Sequence, residues 1–410
     1  MRARALLDLR PLRENPTFRR LWLGTTASGF GGQFGVFAVV FYVWDRTHSA
    51  AAVGLVGLLT GVPLIVIALA GSAFTDHVDR RRLALRCTAA EIVLSAAMTV
   101  VAFTDAGGVP AMLVLVALQS SLAGLVGPAR QTFVPALLTG ERLAAGLALN
   151  HLSFQVAMLL GPAAAGALTA YAGVGWCLAF DTLTFTAALI GLAGLPSGVP
   201  PAEGAPGWRS VRAGLAYAVR TPPVRGALLA DLAATFLAMP VALFPVVNAE
   251  KFGDRPEVLG LFTTALAVGG VLAMILSGLA TRQPRPGRLL LICGAIWAVA
   301  LGLAGLTGTL LLFLALIAVA GAADTWAVVS RGTVVQSVTP PGYRGRISAL
   351  EHIAGAAGPQ IGNLRAGLVA TATSGGVALA LGGLAAVAAT AAIAVSTPAL
   401  SRFRNTPTRD

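Results

Sequence analysis

The chain has 410 residues, of which 56% are hydrophobic and 11% charged, and its mean hydropathy is +0.79. A soluble domain carries roughly 25% charged residues, so too few charges remain to clothe a water-soluble globule. The formal charge of +12 would suit a nucleic-acid binder, but such proteins gather their cations on one face of a soluble fold. Here the arginines sit between long apolar runs, as in the loops of membrane proteins, and no nucleic-acid partner is expected.

The N-terminal stretch carries Arg2, Arg4, Arg10, Arg13, Arg19 and Arg20 before the first long apolar run, Leu21 to about Trp44. That run is too long for the core of a cleaved signal and lacks a cleavage site. It predicts a first spanning helix at 19–44 with its N-terminus inside. Helices two to six are predicted at 50–75, 83–104, 109–136, 143–170 and 175–195, with breaks such as Gly107-Gly108-Val109-Pro110 between them. The longest break, 197–222, holds Pro200, Pro201, Pro206 and Trp208-Arg209-Ser210. It reads as a cytoplasmic linker between an N-terminal six-helix bundle, 1–196, and a C-terminal one, 223–410. Helices seven to twelve are predicted at 223–248, 256–280, 288–306, 308–336, 345–370 and 375–399, followed by a short tail. The expected fold is all-α, with twelve transmembrane helices in two pseudo-symmetric bundles embedded in a lipid bilayer.

Charge asymmetry tests that topology. Segments predicted inside hold Arg80, Arg81, Arg82, Arg86, Arg142, Arg209, Arg212, Arg220, Arg225, Arg282, Arg285 and Arg288, then Arg344, Arg346, Arg402, Arg404 and Arg409. Those predicted outside hold only Arg46, Lys251 and Arg255. The bias fits an even number of spans with both termini cytoplasmic. The halves also echo each other. A shift of 201 positions lays Arg130-Gln131-Thr132-Phe133-Val134 on Arg331-Gly332-Thr333-Val334-Val335, His151 on His352 and Gly161 on Gly362. Two related bundles are expected of transporters that rock around a central site.

The most specific stretch is Asp76-His77-Val78-Asp79-Arg80-Arg81-Arg82, between helices two and three. It resembles the signature loop of the major facilitator superfamily, with Ser72 in place of the usual glycine and His77 in place of the arginine after the aspartate. Asn15-Pro16-Thr17-Phe18-Arg19-Arg20, Gly127-Pro128-Ala129-Arg130-Gln131, Leu160-Gly161-Pro162 with Gly166, and Gly345-Arg346-Ile347 resemble an efflux branch of that superfamily. The likeness is greatest to siderophore exporters and covers nearly the whole chain; macrolide and multidrug efflux proteins of the same branch are the alternative. The resemblance implies a proton-driven exporter of a small molecule, alternating between inward-open and outward-open states. It also implies a bacterial inner-membrane location and, as expected here, a functional monomer.

In such folds the signature aspartate, here Asp76, docks against the N-terminal end of helix eleven. A helix N-terminus carries about half a positive charge, so the contact would bias which state is populated. Arg130 and Arg331, equivalent in the repeat, are expected ionic partners of Asp76 or Asp79. Gly161, Pro162 and Gly166 resemble a helix-five antiporter motif only in part, with Ala165 where a glycine is usual.

Ionisable groups inside a span are costly unless they pair or face a cavity, and so are functional candidates. Asp181, Asp231, Asp324, Glu91 and Arg365 fall within predicted helices, while Glu351, His151 and His352 are read as opening theirs. The resemblance implies that helices one, four, seven and ten line the cavity. This favours Asp324, then Asp231, as proton carriers, and Gln33 as a cavity contact; Asp181, in helix six, is a further proton-coupling candidate. A structural pair of Asp324 with Arg365 or Arg331 is the competing reading. Arg365 could also meet an anionic substrate, since a guanidinium fork suits oxygen-rich anions. Trp22, Trp44 and Trp176 are expected in the interfacial belt.

No HExxH, nucleophile-elbow or phosphate-loop motif is present, so no enzyme is expected. Cys87, Cys177 and Cys293 lie far apart in apolar segments, reading as small buried residues. No cofactor or metal is implied.

Overall fold

The computed structural model describes residues 8–75, 79–195, 208–277 and 283–404, with the backbone alone at 69–75, 208–211, 341, 349 and 352. No strand occurs among them. Twelve long helices carry the fold: α1 (Pro16–Thr47), α2 (Ala50–Thr75), α3 (Arg80–Thr104), α4 (Gly108–Gln131), α5 (Gly140–Ala172), α6 (Val174–Ala193), α7 (Pro222–Ala238), α8 (Pro256–Ile275), α9 (Pro286–Leu306), α10 (Leu310–Val338), α11 (Pro341–Ala372) and α12 (Gly375–Ser396). Among the described residues, eleven spans are long and apolar enough to cross a membrane. The twelfth helix, α11, is more polar because it carries Gln360, Asn363 and Arg365. Leu311, Val395, Ile275 and Leu306 are each more than 70% exposed, as a lipid-facing surface requires.

The sequence starts and stops these helices by ordinary means. Pro222, Pro256, Pro286 and Pro341 stand in the first helical turn, where the missing N–H costs nothing. The Asp79 carboxylate caps α3 by accepting N–H bonds from Arg81 (2.9 Å) and Arg82 (3.2 Å). Between α3 and α4 the chain turns through Asp105 (φ 58°) and Gly107 (φ 75°), left-handed conformations that glycine adopts without strain.

The chain forms two compact units, Met1–Tyr42 with Pro63–Ala205 and Val43–Val62 with Pro206–Asp410. In the first, α1 and α6 interlock through small residues: a Cβ at Gly24 would meet the Ala187 carbonyl at 2.6 Å, and one at Gly191 the Arg20 carbonyl at 2.8 Å. Without a hydrophobic drive between helices in lipid, such close approach supplies the packing energy.

In the second unit the same device joins α8 to α10 reciprocally. Gly269 faces the Ala318 carbonyl and Gly321 the Leu266 carbonyl, with no room for a Cβ at either. The start of α2 belongs here because Gly54 and Gly57 pack on Asn363 and Gln360 of α11. Phe244, Phe262 and Phe313 form an aromatic core with centroids 4.5–6.5 Å apart. Adjacent residues Glu250 and Lys251 cap two different helices. Glu250 accepts the N–H groups of Gly375 (2.7 Å) and Gly376 (3.3 Å) at the start of α12. Lys251 donates to the carbonyls of Gly305 (2.5 Å) and Thr307 (3.0 Å) at the end of α9. Each charge has the sign its helix terminus favours.

Three elements depart from expectation. The predicted fourth helix, 109–136, ends at Gln131, with a separate short helix Phe133–Leu137 after it. The predicted seventh helix, 223–248, is broken: α7 ends at Ala238, a 3₁₀ turn spans Val241–Leu243, and a second helix runs Phe244–Phe252. Pro240 ends the first rod because proline clashes with the preceding turn. Part of the predicted linker is helical, Trp208–Arg220. It is held by Tyr217, which stacks on Tyr343 at 4.9 Å and donates to the Val338 carbonyl at 3.1 Å.

Candidate functional site

In the first unit the polar stripe of α3 organises the interior. Thr88, Glu91 and Ser95 recur at i, i+3 and i+7, so they share a face, and all three are buried. Arg130 from α4 meets that stripe, donating to Glu91 Oε2 at 2.6 Å and Thr88 Oγ1 at 2.8 Å. Glu91 is 2% exposed, and a carboxylate taken out of water needs such a partner. One turn further along, Ser95 donates to Asp181 Oδ2 at 3.1 Å from α6. Asp181 is buried, its Oδ1 has no hydrogen-bond partner, and no cation lies within 4 Å of it among the described residues. Gly35 of α1 passes close over it, leaving 2.9 Å between a would-be Cβ and Oδ2.

The helix-five motif and Gln33 prove to be neighbours. A Cβ at Gly161 would fall 2.5 Å from Gln33 Cβ, and the Gln33 amide lies 3.4 Å from Met158 Sδ. Pro162 and Gly166 are buried in α5. Gln33 is therefore a partly buried α1–α5 contact.

In the second unit Arg331 of α10 forms an ion pair with Asp231 of α7 and lies 3.6 Å from Glu351 of α11. Each of the three side chains is about 85% buried, at 13–15% exposure. Its Nε has no hydrogen-bond partner. Asp324 sits two turns before Arg331 on α10, on the same face at i and i+7, exposed but within electrostatic reach of Asp231 and Arg331. A cavity of ≈ 510 Å³ opens beside the cluster, lined by Arg331, Ser348, Glu351 and Gly355 among others.

Arg365 does other work. Its guanidinium donates to the Leu237 carbonyl at 2.5 Å, at the C-terminal end of the α7 rod. Asn363 Oδ1 accepts the Ala242 N–H at 3.1 Å beyond the break. So α11 satisfies one orphan acceptor and one orphan donor of the interrupted helix, groups that a spanning segment cannot leave bare. Interrupted helices of this kind mark the working region of many transporters.

Several expectations are corrected. Arg130 and Arg331 do not pair with Asp79: their partners are Glu91 and Asp231, and Asp79 caps α3 instead. Asp76 lies outside the described residues. Neither Arg365 nor Arg331 forms an ion pair with Asp324 within 4 Å among the described residues. In the signature loop, Arg80 is buried, Arg81 donates to the Ala193 carbonyl at the end of α6 (2.8 Å), and Arg82 is exposed. His151 and Glu351 do not open their helices, which begin at Gly140 and Pro341. Trp44, near the end of α1, is buried and donates to Asp254 Oδ1 at 3.0 Å.

Glu91 was the functional-looking group that sequence reasoning undervalued; its signal was the Thr88/Glu91/Ser95 stripe in an otherwise apolar helix. Cys87, Cys177 and Cys293 are buried free thiols.

Twelve long helices, glycine-mediated packing and a few paired charges within the spans define a multi-pass transporter of the major facilitator type. Its fold is that of a bacterial ferroportin homologue in the inward-facing state (TM-score 0.72, 16% identity, 95% of this chain and 99% of that one). A bacterial Spinster homologue is likewise similar (TM-score 0.69, 16% identity, 97% and 100% coverage). The profile of the transmembrane secretion effector family matches residues 7–407, and the chain belongs to that family. It is 27% identical to the enterobactin exporter EntS of Shigella boydii serotype 18, over 98% of this chain and 97% of that protein. The enterobactin exporter of Escherichia coli O139:H28 matches to the same extent.

Proposed function

We propose that this transporter exports a siderophore or a similar hydrophilic secondary metabolite across the bacterial inner membrane by proton antiport and alternating access. The two six-helix halves, 1–196 and 223–410, would move about the 197–222 linker, as a monomer with both termini in the cytoplasm. The observation that carries the coupling is the charge count around Arg331. Asp231 and Glu351 lie at one guanidinium and Asp324 is within electrostatic reach of it, so three carboxylates against one cation leave two formal charges unbalanced. A proton is the smallest ion that can balance them, and each one moving inward releases roughly 2.3 kcal/mol per 100 mV of membrane potential. Asp324 is the primary carrier, with Asp231 holding Arg331 in place and Asp181 a second protonatable group. The signature loop acts as the gate, Asp79 fixing the start of α3 and Arg81 the end of α6.

The near-full-length similarity to enterobactin exporters supports the substrate class. A deletion strain tests it. Loss of siderophore from the medium, with drug sensitivity unchanged, is the expected result. Normal secretion with new sensitivity to macrolides would replace the siderophore by lipophilic drugs. Purified protein in liposomes with an imposed pH gradient tests the coupling, and substrate flux indifferent to that gradient would remove it.

A further inference from the structure

A second charged feature of the second unit lies away from the Arg331 cluster. Between α9 and α12 runs a groove of ≈ 530 Å³, rimmed by Arg285, Arg288 and Arg402. Its walls are apolar: Leu291 and Ala295 on α9, Val387 and Ala391 on α12. These positions recur at helical spacing below the arginines, so two apolar stripes face one another. From Arg288 to Ala295 the groove descends about 10 Å along α9 at the helical rise. All three arginines are exposed, and no acid among the described residues lies within 4 Å of any of them. Some exposed arginines have such partners, as Arg10 has Asp8, Arg142 has Glu14 and Arg255 has Glu257, while Arg19, Arg20, Arg212 and Arg220 are also without one among the described residues. What sets Arg285, Arg288 and Arg402 apart is that they rim one apolar groove.

Three unpaired guanidiniums above an apolar trough present the complement of one molecule type, a phosphate anion carrying a hydrocarbon chain. Guanidinium forks match phosphate oxygens in pairs, and basic pockets between spanning helices take anionic headgroups. We propose that Arg285, Arg288 and Arg402 bind the phosphate of an anionic glycerophospholipid whose acyl chain lies in the α9–α12 groove. A soluble phosphate would use the arginines but leave the trough empty. A second copy of the chain would have to offer matching acids.

Native mass spectrometry of the full chain in detergent tests this with phosphatidylglycerol, phosphatidylcholine and glycerol 1-phosphate as probes. The wild type should retain phosphatidylglycerol and not phosphatidylcholine. R285Q/R288Q/R402Q should bind it roughly 100-fold more weakly, at the usual contribution of each surface arginine. A391F, which keeps the arginines and fills the trough, should weaken it too, and this separates a lipid from a bare phosphate. Circular dichroism and melting without lipid confirm that both variants fold; should the triple variant fail to fold, A391F and the wild-type lipid comparison carry the test alone. The site is overturned if wild type binds both lipids equally, if glycerol 1-phosphate binds as tightly as phosphatidylglycerol, if A391F or the triple variant retains wild-type binding, or if the arginines mediate dimers instead.

Discussion

Glu91 and Arg130 lie 2.6 Å apart across the α3–α4 contact, the carboxylate almost wholly buried and the guanidinium one-third exposed. Removing one member of such a pair strands the other in low dielectric, whereas removing both does not. Glu91→Gln should lower stability by about 3 kcal/mol, the low end of the usual range because Arg130 keeps some solvent. The double variant E91L/R130L should recover most of that loss. Thermal melts in detergent, arranged as a double-mutant cycle, provide the check; additive losses would contradict the pairing.

Asp231 and Asp324 should separate stability from coupling. Asp231→Asn leaves Arg331 with only Glu351, at 3.6 Å, and should lower both the melting temperature and transport. Asp324 has no ion pair within 4 Å among the described residues, so Asp324→Asn should melt as the wild type does while losing its response to a pH gradient. Liposome flux measured with and without the gradient, beside melting curves, distinguishes the two. A gradient response surviving in D324N would move the proton elsewhere.

The break in α7 makes a further claim. Arg365→Leu leaves the Leu237 carbonyl without its donor, and Asn363→Leu leaves the Ala242 N–H without its acceptor. Each should cost about 1–3 kcal/mol, the penalty for an orphaned buried polar group. Arg365→Lys should recover part of the loss. If R365L and N363L melt like wild type, the two stumps find other partners.

Gly161 should tolerate a side chain only when Gln33 yields. Gly161→Val brings its Cβ to 2.5 Å from Gln33 Cβ and should lower both transport and melting temperature. Adding Gln33→Gly, which removes both the Cβ and the Cγ that meet the new side chain, should restore the melting temperature in large part. Failure of that second change to help would mean that Gly161 is constrained by something other than α1.

Eleven of the twelve long helices were legible because an apolar run of about twenty residues between basic loops leaves few other readings. Several helix starts were predicted late, as at α5, which begins at Gly140 and not 143, while α4 and α12 end at Gln131 and Ser396, short of 136 and 399, because apolarity marks the lipid core and not the caps. The interruption of α7 was hidden: Pro240 lies in an unbroken apolar run, and its compensation is supplied by Asn363 and Arg365 some 120 residues away. The acids of the interior were found one by one, yet not their partners. Arg130 and Arg331 are equivalent in the repeat, but one pairs with α3 and the other with α7. Pairing depends on how helices are rotated against each other, and a shift in sequence does not encode that. The helix Trp208–Arg220 was missed because prolines just before it suggested a wholly irregular linker.

Lys251 is the single lysine of the sequence, and its ε-amine is engaged with two carbonyls at the end of α9. Amine-selective reagents thus have one internal amine to attack in the entire polypeptide, and its two bonds to α9 hold it back from reaction. The rate at which that amine is modified becomes a site-specific clock for the opening of this corner, available without introducing any tag or cysteine.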